Sequence, residues 1–112
     1  MSYRVQYTRP AENDLESIYF YIAIEKAEPY GSKNFIVKLM KECRTLEELP
    51  YRCPKAEISG LDMRGVRKMT VGNYLVLFRT LEKKGIVEIL RIVYAGRDLS
   101  AALRNTDPPK KI

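Results

Sequence analysis

Apolar and polar side chains alternate through much of the C-terminal half of the chain. Residues 66–71, 74–80 and 86–94 are rich in Val, Ile, Leu, Tyr and Phe, which suit a half-buried pleated surface. Gly72-Asn73 and residues 82–85 separate these segments and contain residue types that allow tight reversals. The pattern predicts three consecutive strands that form an antiparallel meander.

The N-terminal segment, residues 3–8, alternates well enough to predict a further strand. A helix is expected to follow, because Thr8 is a suitable N-cap and Pro10 fits the first helical turn. Glu12 and Asp14 then fall where the positive end of the helix dipole favours acidic side chains. Apolar residues step by four, three and four along about five turns of this helix: Ala11, Leu15, Ile18 and Ile22.

A second helix is expected after residues 28–32, where a proline and a glycine indicate a tight connection. It ends before Pro50, and its apolar stripe consists of Phe35, Leu39, Cys43 and Leu46. Two helices joined by a short turn form an antiparallel hairpin, whose apolar faces need the sheet to cover them. Residues 50–62 have no clear period and are predicted to be a loop, in which Lys55 and Glu57 are either solvated or functional.

These elements predict one α+β domain over residues 1–104, in the order β-α-α-β-β-β, with a short C-terminal helix over residues 99–104. The tail, residues 105–112, contains two prolines and two lysines and is expected to be disordered. Both faces of the last two strands are largely apolar. One face should pack on the helices, and the other is expected to be partly exposed or covered by a partner.

The composition narrows the class of protein. The 112 residues contain no apolar run near the roughly 20 residues needed to cross a membrane, and the N-terminus lacks the apolar core of a signal peptide. A cytoplasmic protein without membrane contact is therefore expected. With no histidine in the chain, Cys43 and Cys53 make a poor metal site. They are expected to be a reduced packing cysteine and a reduced loop cysteine, and no metal or cofactor is expected.

The net charge of +6 is unevenly distributed along the chain. Residues 1–62 hold nine Lys/Arg and ten Asp/Glu, whereas residues 63–112 hold eleven and four. A concentrated positive field attracts phosphate backbones or an acidic partner, and a solvated surface is the alternative. The candidate residues for binding nucleic acid or another target are Arg64, Arg67, Lys68, Arg79, Arg91 and Arg97. For Arg79 and Arg91 the structural alternative is an ion pair with Glu88 or Glu82.

Because the chain has no histidine, it cannot form the catalytic triads that use one as the base. It also has no glycine-rich phosphate-binding loop. An enzyme built from this sequence would rely on Lys, Arg, Tyr, Glu or Asp. That set suits the cleavage of RNA, in which a base activates the ribose 2′-hydroxyl and cations stabilise the phosphate in the transition state.

Three stretches carry a resemblance to a known family. They are Y-R-V-x-Y-T-x-x-A-x-x-D-L-x-x-I-x-x-Y-I over residues 3–22, R-x-V-R-K-M-x-V-G-N-Y-L-V-L-F-R over residues 64–79, and V-E-I-L-R-I-V-Y-A-G-R-D over residues 87–98. In this order and spacing, they make the chain resemble the RelE/ParE toxins of bacterial type II toxin–antitoxin systems. The resemblance covers nearly the whole chain except the tail.

The resemblance implies a toxin of a plasmid-stabilisation type of module, which inhibits growth and is neutralised by a cognate antitoxin in a hetero-oligomer. ParE-like members bind and poison DNA gyrase without cleavage chemistry of their own. RelE-like members are mRNA interferases that cleave messenger RNA on the ribosome. The helix hairpin and the string D-L-E-S-I-Y-F-Y-I favour a ParE-like gyrase inhibitor, and the alternative is a ribosome-dependent endoribonuclease.

For the ribonuclease alternative, the resemblance implies three catalytic candidates. Lys68 matches a sheet lysine of those enzymes, Arg97 matches their arginine after the last strand, and Tyr94 stands where many relatives of both branches have a histidine. Leu75 replaces an expected arginine, and Leu103 lies near the position of a C-terminal tyrosine. The proton-transfer groups of the ribonucleases are therefore incompletely represented.

Overall fold

The computed structural model describes residues 2–96 and 98–104. The predicted order of elements is confirmed. The strands are β1 (Arg4–Tyr7), β2 (Val66–Val71), β3 (Tyr74–Leu81) and β4 (Ile86–Tyr94), and the helices are α1 (Arg9–Phe20), α2 (Pro29–Arg44) and α3 (Leu99–Arg104). Residues 105–112, for which a disordered tail is expected, lie outside the described residues.

The four strands form one sheet in the order β1-β4-β3-β2. The three C-terminal strands pair as the predicted antiparallel meander, while β1 runs parallel to β4 and pairs with it as far as Tyr7 and Ile89. The register between β3 and β4 shifts after Leu77, so that Leu90 has no partner in β3. Such a bulge bends a strand and changes the direction of its side chains, and it lies next to the point where β1 ends.

Helix α1 begins as the sequence predicts. The Thr8 hydroxyl accepts a hydrogen bond from the Ala11 amide at 3.2 Å, and Pro10 occupies the first turn, where no intrahelical N–H is needed. The regular α-helix ends at Phe20, and a π-helical turn, Tyr21–Glu25, carries the chain onward. The apolar stripe therefore continues through a change of helix type, which a period of 3.6 residues does not reveal.

Helix α2 begins earlier than the sequence predicts. Pro29 is its first residue rather than part of a connection, because a proline is tolerated where the first-turn amides lack partners. The connection is shorter and includes Ala27, at a φ of 54°. The buried Ser32 hydroxyl donates to the Tyr19 carbonyl oxygen at 2.6 Å and so joins the two helices of the hairpin.

The helix hairpin covers one face of the sheet, which we call the inner face. Its core consists of side chains from both helices and all four strands, and the members that are fully buried in it include Ala11, Ile18, Leu39, Cys43, Leu46, Val76, Phe78, Val87, Ile89 and Ile92. This is the packing that the apolar stripes of the helices predict.

The opposite face of the sheet, the outer face, is covered by the chain itself rather than by a partner. Leu75, Leu77 and Val93 are buried there beneath apolar side chains of the long loop and of α3. Those covering side chains are Ala56, Ile58, Met63, Leu99, Ala102 and Leu103. The expectation of an exposed or partner-covered face was wrong, because residues 54–66 fold back across the sheet.

Both cysteines are free and buried. Cys43 packs in the core as expected, and burial raises the pKa of its thiol to about 11. Cys53 lies in the loop, as expected, and its side chain also belongs to the inner core. Its burial likewise raises the pKa of its thiol.

Within residues 2–96 and 98–104, no helix is long and apolar enough to cross a membrane.

Candidate functional site

The basic side chains predicted for target binding occupy several different environments. Arg91 lies on β4 just after the bulge, and its side chain is only 12% exposed. It forms a two-pronged ion pair with Asp14 of α1, with Nε and Nη2 at 2.8 and 3.1 Å from the carboxylate oxygens. The partner of Arg91 is thus neither Glu88 nor Glu82.

Asp14 is fully buried, and its carboxylate accepts a backbone hydrogen bond from β4 beyond the point where β1 ends. One carboxylate oxygen accepts the backbone N–H of Ile92 at 2.8 Å, in addition to the bonds from Arg91. The helix dipole was the role expected for Asp14, but only Glu12 lies in the first turn of α1, and the Asp14 carboxylate is instead buried against β4. The contact joins residues 77 positions apart, so local spacing carried no signal of it.

Two other cations form exposed ion pairs. Arg79 bonds Glu88 at 2.7 Å across β3 and β4, as the structural alternative predicts. Arg64 bonds Asp62 at 2.7 Å, and these hydrogen bonds lower the pKa of the Asp62 carboxyl group. The two arginine side chains are 91% and 49% exposed, so both cations are accessible to a binding partner.

Arg67 and Lys68 are consecutive residues of β2, an edge strand of the sheet, and they line two different cavities. Arg67 donates to the Cys53 carbonyl oxygen at 2.6 Å, and its guanidinium lies 5.1 Å from the centre of the Tyr51 ring. Lys68 is half-buried and lines a cavity of about 430 Å³ together with Glu42. Among the described residues neither cation has a salt bridge of 4.0 Å or less.

Tyr94 packs at the far end of the sheet, beside the inner core. Its ring meets that of Tyr74 edge to face at 5.8 Å, and Tyr74 in turn meets Phe35 at 5.5 Å. Arg97, the remaining candidate, lies outside the described residues.

Alkaline pH provides a test of the packing of this aromatic group. Burial raises the pKa of the Tyr74 phenol to about 12, with smaller contributions from Tyr21 and Tyr94. The unfolded chain loses this proton near pH ~10 while the folded chain keeps it, so stability is full below pH ~10 and falls as pH rises toward 12. The fall is at most about 1.4 kcal/mol per pH unit for one group.

We therefore expect Tyr74→Phe to reduce the alkaline loss of stability. Urea unfolding at two pH values, one below and one above the ordinary tyrosine pKa, measures this slope. Tyr30→Phe is the matched control, because Tyr30 is 84% exposed. Parallel pH profiles for the wild type and Tyr74→Phe would contradict the prediction.

The two leucines that replace ribonuclease-type residues both belong to the apolar cluster on the outer face. Leu75 is buried on β3, and Leu103 of α3 packs against the same cluster. Neither side chain can donate or accept a proton. No group of three or more side chains able to hold a metal ion occurs in the part of the chain that the structure describes.

Two solved structures with this fold come from toxin–antitoxin systems. A chain of the chromosomal ParDE system of P. aeruginosa matches with a TM-score of 0.65 and 22% identity, covering 81% of this chain and 94% of that one. A chain of the RelBE2 toxin–antitoxin complex of Mycobacterium tuberculosis matches with a TM-score of 0.59 and 19% identity, covering 82% and 96%. At these identities the likeness shows the fold alone.

Comparison with curated proteins finds no match. The sequence model of one family, described as the ParE toxin of the type II toxin–antitoxin system parDE, matches residues 5–99. This match includes β1 from its second residue, the other three strands, both helices of the hairpin and the turn after β4. The chain therefore belongs to the ParE toxin family of type II toxin–antitoxin systems.

Proposed function

We propose that this toxin arrests growth by binding DNA gyrase and poisoning it, without cleaving nucleic acid itself. The observation that carries the proposal is the apolar packing of Leu75 and Leu103. At these two positions the ribonuclease branch is expected to have an arginine and a tyrosine. Family membership in the ParE group supports the same target.

The contacts that the basic residues make within the fold also support a binding role rather than a catalytic one. The Arg91 guanidinium engages a buried carboxylate, which makes it a poor contact for a phosphate. We propose that Arg67 and Lys68 on β2, together with Arg97, contact the target. Their positive charge suits an acidic protein surface or the DNA held by the topoisomerase.

A cognate antitoxin is the second partner that we propose. The similar structures are described as toxin–antitoxin systems or complexes, and a chain of charge +6 attracts an acidic partner. We propose a toxin–antitoxin hetero-oligomer in the cytoplasm, where gyrase acts.

A cleavage assay with purified gyrase and supercoiled plasmid tests the target. We expect micromolar toxin to raise the yield of linear, gyrase-linked DNA after the complexes are trapped with detergent. We expect Lys68→Gln to shift the required toxin concentration about two- to fivefold upward, since one partly exposed charge contributes up to about 1 kcal/mol. Lys38→Gln, an equal charge change on an exposed site of α2, is the matched control.

Induction in cells distinguishes the two branches of the family. Growth arrest with a DNA-damage response and intact transcripts supports the gyrase target. New 5′ ends in messenger RNA within minutes, together with no effect on purified gyrase, would replace the proposal by the ribonuclease alternative. Unimpeded growth at full expression would contradict both.

A further inference from the structure

An open cavity lies against the loop before β2, and Arg67 is the one described residue that it shares with the proposed target-binding surface. The Ala56 amide donates to the Val66 carbonyl oxygen at 2.9 Å and closes residues 56–66 into a loop whose ends meet. A cavity of about 840 Å³ opens between this loop and the neighbouring strands. Its volume falls within the roughly 300–1,000 Å³ of ordinary ligand sites.

Two cations are held next to each other in the wall of this cavity. Lys55 and Arg67 are directly opposite in an antiparallel β-bridge, and both line the cavity. Directly opposed side chains have Cβ atoms roughly 4.5–5.5 Å apart, and like charges in that arrangement are destabilising. The fold thus holds two positive charges close together, and a bound anion would offset the repulsion between them.

The acidic side chains in the cavity wall do not neutralise this pair. Asp62 is bound to Arg64, with three hydrogen bonds from that side chain at 2.7–3.2 Å. Glu57 is exposed and forms no salt bridge within the described residues. The Lys55–Arg67 pair therefore remains available to a ligand.

The Arg67 side chain is fixed before any ligand arrives. Its Nη1 donates to the Cys53 carbonyl oxygen at 2.6 Å, and its guanidinium lies 5.1 Å from the Tyr51 ring centre. The Tyr51 hydroxyl in turn donates to Glu82. A guanidinium ordered in this way loses little entropy on binding, and its planar fork matches the oxygens of a phosphate.

Part of the cavity wall is apolar. Ile58, Leu61 and Met63 line it and are half-buried. A ligand that carries a phosphate at one end and a flat, weakly polar group at the other matches both walls. We propose that this cavity binds a nucleoside phosphate, with the phosphate between Lys55 and Arg67 and the base against the apolar wall.

Calorimetric titration of the full-length chain at low salt tests the site. The probes are ATP, hexa-adenylate, adenosine and hexaglutamate. We expect saturable binding of ATP or hexa-adenylate, weakened about tenfold or more by Lys55→Gln, because the substitution removes a charge-assisted hydrogen bond to the phosphate. The tighter of the two nucleotide probes identifies a free nucleotide or a polynucleotide as the source of the phosphate.

Lys33→Gln provides the matched control, because Lys33 is exposed on α2 and does not line the cavity. Arg67→Gln supplies a second test, with its fold checked by circular dichroism. The proposal is overturned if neither nucleotide probe binds saturably, or if Lys55→Gln and Lys33→Gln weaken binding equally. It is also overturned if adenosine or hexaglutamate binds as tightly as the nucleotides. None of these outcomes depends on whether gyrase is the toxin's target.

Discussion

Replacing Asp14 with alanine is expected to lower the free energy of unfolding by about 3–5 kcal/mol, the usual cost of breaking a buried ion pair. Asp14 is 0% exposed and Arg91 is 12% exposed, so water cannot replace the lost carboxylate effectively. The substitution also removes the acceptor for the Ile92 amide beside the bulge of β4. Since domains of this size are stable by only about 5–15 kcal/mol, a large part of the total stability depends on this one side chain.

Urea denaturation followed by circular dichroism measures the Asp14 effect. Glu12→Ala is the matched control, because it removes an exposed carboxylate from the same helix and is expected to cost less than about 1 kcal/mol. Asp14→Asn separates the two roles, because its amide oxygen can still accept from Ile92 but carries no charge. Equal unfolding midpoints for Asp14→Ala and Glu12→Ala would refute the structural role of the pair.

Replacing Phe78 with alanine is expected to cost about 3–5 kcal/mol, because the change removes a large apolar side chain and leaves a cavity. Phe78 is 0% exposed and is the largest fully buried side chain in the described part of the chain. It lies on the inner face of β3, in the middle of the sheet, and belongs to the core that the helix hairpin completes. The substitution should therefore lower the free energy of unfolding of the whole domain rather than loosen one edge of the sheet.

Phe20→Ala is the control for this substitution, since Phe20 is a phenylalanine with 49% exposure near the end of α1. We expect it to change the free energy of unfolding by about 0.5 kcal/mol or less. Urea denaturation under the same conditions compares the losses of unfolding free energy caused by Phe78→Ala and Phe20→Ala. A Phe78→Ala protein as stable as Phe20→Ala would show that β3 does not lie at the centre of the core.

Local signals predicted the elements well, because their causes are local. Thr8 caps α1 because its hydroxyl accepts a hydrogen bond from a backbone amide only three residues away. The alternation along β2, β3 and β4 follows from the period of two in any strand. Errors occurred where a local rule allows two outcomes, as at Pro29, which is compatible with both a connection and a first helical turn.

Candidate site residues were harder to place, because a basic side chain has the same appearance in sequence whether it binds a target or supports the fold. Arg91 supports the fold through Asp14, whereas Arg67 and Lys68 have no acidic partner among the described residues. From the sequence, Lys55 is a loop residue that is either solvated or functional. Its pairing with Arg67 arises from a backbone bridge between distant segments, which no spacing rule reveals.

The sequence by itself determined the order of strands and helices, the apolar faces of the hairpin and the family, since these depend on residue periodicity and on motifs in a fixed order. Only the tertiary structure decided that Asp14 is buried, that the chain covers its own outer face, and that Lys55 stands beside Arg67. The physical reason is that burial and pairing depend on which distant segments meet. In this fold those contacts between distant segments depend on three features: the parallel pairing of β1, the bulge in β4 and the long loop folded across the sheet.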